Sequence, residues 1–261
     1  MIKVTRPPIP EVLKQYQSEW TKELMNLVKK YGGYDKIPDD EKKTAVNKYR
    51  HGDIKQAIEE MFHGKCVFCE SIINASGDIH TEHFYPKSLY PQCTFEWRNL
   101  FPACKKCNDP KGNYDTYTYP MVNPERDDPE KCFVYRDVRI HPALDSPDFE
   151  KGQRTIEVCD LHRFELFRPI ARILEQFYKT EKVLKETVSE YRPLKKDDAK
   201  IKRLSKIHDA LENMKNLSAD TEPYAGFLRY VLRNSPVVQE TIGLINEHLE
   251  ELELGKKFEL Y

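Results

Sequence analysis

From about Glu11 to Lys30, apolar Val12, Leu13, Tyr16, Trp20, Leu24, Leu27 and Val28 recur at intervals that place them on one helical face. Gly32 and Gly33 supply the expected stop. A second helix is predicted from about Asp53 to Phe62, burying Ile54, Ile58, Met61 and Phe62. The period then changes. From Asp78 to Phe84 polar and apolar positions alternate, which favours a short strand. Its pleat puts Asp78, His80, Glu82 and Phe84 on one face and Ile79, Thr81 and His83 on the other. A second strand is expected around Trp97–Pro102, followed by a helix opened by "KKCNDPKGNYD" with Asn108 in its first turn. Pro110 is compatible only with that first turn. Residues 119–155, rich in proline and aspartate, read as an ordered loop region with one strand at Cys132–Arg136. Beyond Thr155 the helical period returns. It predicts a long helix ending in "VSEY", kinked near Pro169, and three more near Asp197–Asn216, Thr221–Arg233 and Val237–Leu254. Asp197 and Thr221 are the expected N-caps, and Pro236 a helix start.

These elements describe an α-rich α+β chain. An N-terminal helical region (1–63), a small mixed core (64–118), a loop-rich connection (119–154) and a C-terminal helical region (155–261) follow in order. Composition narrows the class. Of the 261 residues 33% are charged and mean hydropathy is −0.73, and no apolar run reaches the length of a membrane span. The opening "MIKVTRPPIP" lacks an apolar leader, so the expected compartment is the cytoplasm, where seven cysteines stay reduced. A net charge of −1 gives no global attraction to nucleic acid; local basic patches would have to supply it.

Four of the cysteines are paired as Cys66-x-x-Cys69 and Cys104-x-x-Cys107. Each pair can set two thiolates on one turn, and four thiolates close a tetrahedral zinc shell with no position open for chemistry. A structural Zn²⁺ is therefore expected. It would hold together a segment of about 50 residues that buries too little apolar surface by itself. A redox pair or four ordinary buried cysteines are the alternatives, and no strand–Cys-x-x-Cys–helix context supports the first. Cys93, Cys132 and Cys159 lack a partner pattern and read as small core residues.

Between the cysteine pairs lie Glu82-His83, Asn99-Leu100, Pro102-Ala103-Cys104 and Cys107-Asn108-x-x-Lys111-Gly112. In order, spacing and residue type this set resembles the HNH endonucleases, in the subset that carries two Cys-x-x-Cys pairs. The resemblance covers residues 64–115 and departs from the common pattern at Glu82, where aspartate or histidine is usual, and at Asn108, which replaces the last histidine. It implies a zinc-stapled ββα-metal core between the helical flanks. It also implies that His83 is the general base, suited by a near-neutral pKa, and that Asn99 orients its ring. Glu82 and Asn108 would hold a catalytic Mg²⁺ or Mn²⁺, and Lys111 would meet a phosphate, with Lys105 and Lys106 as further phosphate contacts. Neighbours on a strand point to opposite sides, so Glu82 and His83 can serve one site only if the strand ends or flares there. His80 shares the Glu82 face, either as a supporting contact or simply as a polar residue.

Shorter stretches outside the core, "MIKVTRPPIPEVL" and "GQRTIEVCDLHRFELFRPI", resemble the HNH subunits of bacterial anti-phage systems of the Septu and retron kinds. That resemblance implies DNA cleavage, as a nick or a double-strand break, within a defence complex whose partner is an ATPase. RNA as the target and a catalytically silent zinc-stapled binding module remain the alternative readings. Basic residues in "RHGDIKQ", "KKDDAKIKRLSK" and "RYVLR" are further candidate backbone contacts, although aspartates interrupt the second run.

Overall fold

The computed structural model describes residues 1–73, 79–248 and 257–261; the expected strand residue Asp78 and the helix end expected at Leu254 lie outside the described residues. The described residues group into two compact units, Met1–Val134 with Ile140–Arg163, and Tyr135–Arg139 with Phe164–Tyr261.

The first unit starts from α1 (Glu11–Tyr31), which ends at Gly32 in the left-handed region, φ 73°, with its N–H on the Val28 carbonyl. Leu13 and Leu24 are fully buried against Phe95, Trp97 and Leu100, and Trp20 meets Phe95 edge-on. Each such side chain removed from water contributes about 1.5–3 kcal/mol, which fixes α1 beside the small core. Helix α2 (Asp39–Val46) has no counterpart among the elements expected from the sequence, because only Ala45 and Val46 of its eight residues are buried. Helix α3 (Gly52–Met61) buries Ile54, Ile58 and Met61 as expected.

The core has two short antiparallel strands, β1 (His80–His83) and β2 (Leu100–Ala103), in the register His80 to Ala103 and His83 to Leu100. The second strand begins later than expected because Trp97–Asn99 forms a 3₁₀ turn. Helix α4 (Lys105–Lys111) follows at once, and Pro110 lies in its second turn rather than its first. The stretch expected to be loop holds more structure: α5 (Pro129–Cys132), a hairpin of β3 (Phe133–Arg136) and β4 (Arg139–Pro142), and α6 (Phe149–Val158).

The second unit is helical: α7 (Phe164–Tyr191, with Pro169 inside it), α8 (Asp197–Asn216), α9 (Ala225–Asn234) and α10 (Pro236–Glu247). Leu184, Leu204, Ile207, Leu211, Leu232, Val238 and Ile245 form its core, joined by Phe258 from the C-terminal segment. Two expected caps are corrected. Lys196 occupies the cap position before α8, with Asp197 already helical. Tyr224, not Thr221, precedes α9. Ser235 caps α10 by accepting from Val238 N–H, and Pro236 starts that helix as expected. Among the described residues no helix is long and apolar enough to cross a membrane.

Candidate functional site

The two cysteine pairs meet. The four Sγ atoms of Cys66, Cys69, Cys104 and Cys107 lie within 4.8 Å of one another, and Cys69 and Cys104 are 3.8 Å apart. Zn–S bonds of about 2.3 Å in a tetrahedron separate the sulfurs by about 3.8 Å, so the set fits zinc. The first pair is a turn closed by Glu70 N–H on the Cys66 carbonyl and tied to β2 by Val67 N–H on the Pro102 carbonyl, 2.9 Å. The second pair is the first turn of α4, where Cys107 N–H and Asn108 N–H both bond the Cys104 carbonyl. Thiol–thiol hydrogen bonds hold Cys69 and Cys104 below the usual thiol range; burial pushes Cys66 up, and bonds from its neighbours push Cys107 up. Arg163, which no spacing in the sequence singles out, donates from Nη1 to Cys107 Sγ at 3.3 Å. Burial works against its charge, and the facing sulfurs of Cys107 and Cys69 more than offset that.

One residue past Cys107, the Asn108 amide nitrogen lies 3.2 Å from Nδ1 of His80. With that nitrogen donating, Oδ1 of Asn108 is the atom left for a cation. His80 thus supports Asn108 across the strand–helix interface. Glu82, on the same face of β1, forms a buried ion pair with Lys111 on the next turn of α4. Burial pushes the Glu82 carboxyl up, and Lys111 opposes this. Lys111 also donates to the His83 carbonyl at 3.0 Å. The expectation of Lys111 at a phosphate is corrected here, because its side chain has no exposure and does not line the cavity described next.

A cavity of about 670 Å³ opens over this face, lined by His80, Glu82, His83 and Asn108 from the expected set. Lys105 and Lys106 lie outside it, and Lys105 pairs with Asp109. Glu82 and His83 both line it because β1 stops at His83. Nε2 of His83 is 3.0 Å from the Thr94 carbonyl, and the ring packs edge-on against Tyr49 at 4.6 Å between centroids. A carbonyl only accepts, so Nε2 carries the proton and Nδ1 presents the lone pair. The near-neutral pKa expected for this ring is not what its surroundings give: burial pushes it down to about 3.

Asn99 is also corrected in detail. It does not touch the His83 ring. Its Oδ1 accepts from Tyr85 N–H at 2.6 Å, and its Nδ2 donates to the carbonyls of Tyr85 and Cys93 at 3.1 and 2.9 Å. It clamps the connection between the strands, and the residue after Cys93 is Thr94, whose carbonyl holds the ring. The link from Asn99 to His83 is through backbone.

No family model matches the chain. Over 116 residues it is 38% identical to a Septu protein PtuB of Bacillus thuringiensis, a match spanning 43% of this chain and 42% of that protein. The chain has homologues named Septu protein PtuB. A second, from Bacillus mycoides (strain KBAB4), is 28% identical over 211 residues, 66% of this chain and 67% of that protein. The match to the first of these relatives thus covers less than half of its length.

Proposed function

We propose that the chain is a divalent-metal-dependent phosphodiesterase of the HNH type acting on DNA, and the nuclease subunit of a Septu-type anti-phage complex. The observation that supports this best is the convergence of Glu82, Asn108 and a His83 ring with fixed tautomer on one cavity. A carboxylate oxygen and an amide oxygen are the donors that hard cations prefer, so Glu82 and Asn108 fit Mg²⁺ or Mn²⁺. That ion would stabilise charge on the phosphate and the departing oxygen. His83 Nδ1 takes the proton of the attacking water. At cellular pH the ring is neutral and ready, and an anionic phosphodiester entering the cavity strengthens it as a base. A structural zinc held by the four cysteines would take no part in this chemistry; Cys107, one residue before Asn108, would tie the position of that amide to it. Similarity to the two PtuB proteins supports the defence role, with an ATPase subunit as the expected partner.

The test is nicking of plasmid DNA with Mg²⁺ or Mn²⁺. Wild type nicks and His83→Ala does not; equal activity in both removes His83 from the reaction. The silent binding module draws on the Glu82–Lys111 pair, which already neutralises the carboxylate. It predicts nucleic-acid binding indifferent to Asn108→Ala and no cleavage of DNA or RNA at any metal concentration.

A further inference from the structure

Besides Glu82, His83 and Asn108, the same cavity is lined by Arg50 and Lys55, from just before and within α3, and by Lys87, from the segment after β1. Two carboxylates also line it, Glu82 and Asp109, and each is paired with a lysine that does not: Lys111 and Lys105. Arg50 and Lys87 by themselves leave the charge facing the cavity positive. Tyr49 organises this wall. Its hydroxyl accepts from Arg50 Nε at 3.2 Å, and Arg50 and Lys87 lie 5.6 and 5.9 Å from its ring centroid. The same ring packs edge-on against His83. With Nε engaged, the Arg50 guanidinium still has its two terminal nitrogens, a fork suited to a phosphate. Among the described residues neither Arg50 nor Lys87 forms an ion pair, and two cations on one ring repel each other unless an anion joins them.

We propose that Arg50, Lys55 and Lys87 form a docking wall for the phosphodiesters flanking the bond held at Glu82, His83 and Asn108. The ligand is thus a nucleic-acid strand gripped by its backbone, not a small phosphate ester. Its place beside the scissile bond rests on the nuclease reading; the ligand class rests on the charged wall itself. Binding is therefore measured without cleavage. A fluorescein-labelled DNA duplex and an RNA duplex of the same sequence are titrated with the full zinc-loaded chain without added Mg²⁺ or Mn²⁺, from 50 to 200 mM KCl.

Neutralising one cation that meets a phosphate lowers the salt slope by about 0.9 for B-DNA, so the advantage of wild type over such a variant shrinks about 3.5-fold across that range. Arg50→Gln, Lys55→Gln and Lys87→Gln are each expected to bind several-fold more weakly at 50 mM with this reduced slope. Lys179→Gln, which removes a charge paired with Glu175 on α7, is expected to bind as wild type does. Equal losses on both duplexes assign the wall to the phosphodiester alone; losses confined to one name that strand type as its ligand. Unchanged affinity and slope in all three wall variants, or an equal loss in Lys179→Gln, would overturn the proposal. Failure of the nicking test with these binding results intact would instead discard the nuclease reading.

Discussion

Lys111→Met removes a buried cation while keeping most of the side-chain volume. In the native chain Lys111 has no side-chain exposure, pairs with Glu82 at 6% exposure, and donates to the His83 carbonyl. Breaking a buried pair on one side costs about 3–5 kcal/mol, because the remaining charge is left without compensation. A second route gives a similar figure. Glu82 can escape by taking up a proton, which at pH 7 costs about 1.4 kcal/mol for each unit above its unfolded pKa of about 4.3, or about 3.7 kcal/mol. The pH sign follows. A carboxyl whose folded pKa is raised holds more protons in the folded state, so its penalty grows with rising pH and fades as pH falls. Urea unfolding of the zinc-loaded chain, followed by circular dichroism, should show a deficit of about 3–4 kcal/mol at pH 7. That deficit should shrink by about 1.4 kcal/mol per unit toward pH 5. The double variant Glu82→Gln/Lys111→Met should recover much of it. A deficit below about 1 kcal/mol at pH 7, or one that does not change with pH, would refute the assignment of Lys111 as the buried counter-charge.

Metal analysis should find one zinc per chain, and Arg163→Gln should release it to a chelator several-fold faster with an unchanged circular dichroism spectrum; an unchanged release rate would separate Arg163 from the sulfur shell. Asn99→Ala removes three hydrogen bonds from a buried clamp and should cost about 3 kcal/mol in urea unfolding, against little for a surface asparagine such as Asn234. His83, with a folded pKa of about 3 against an unfolded value near 6.5, binds its proton more readily in the unfolded chain. Stability should accordingly fall as pH drops below 6.5, by about 2 kcal/mol at pH 5, and His83→Gln should lack this component in acid titrations of the unfolding midpoint.

What could be read from the sequence was what has spacing. The cysteine pairs announce themselves by interval, and α1, α3 and α8 by the recurrence of apolar residues. Helix α2 does not, since it rests on the core through one end only, and its polar face carries no period. The same limit governs the site. His83 is held by a backbone carbonyl, a group every residue type carries, so no residue type marks the contact. Lys111 is marked in the sequence as a phosphate contact, and its ion pair shows only when α4 is laid on β1. At that point its distance from Asn108, three residues along one helical face, sets it over Glu82 while Asn108 meets His80. Arg163 likewise shows its partner only once the sulfurs are gathered.

The opposed faces of Glu82 and His83 carry the further step. Neighbouring strand residues serve different partners, so the site is assembled from two sides. Helix α4, whose first turn carries Cys104 and Cys107, holds Glu82 through Lys111, and Tyr49 with the Asn99-clamped loop holds His83. Losing zinc should therefore disturb the carboxylate and amide side first and leave the His83–Thr94 contact standing. The docking wall, which lies on the Tyr49 side, should keep its grip on a backbone under the same treatment. Metal-stripped chain that binds duplex with an unreduced salt slope yet fails to nick would show the two halves acting separately. Loss of both together would show that the zinc organises the whole cavity.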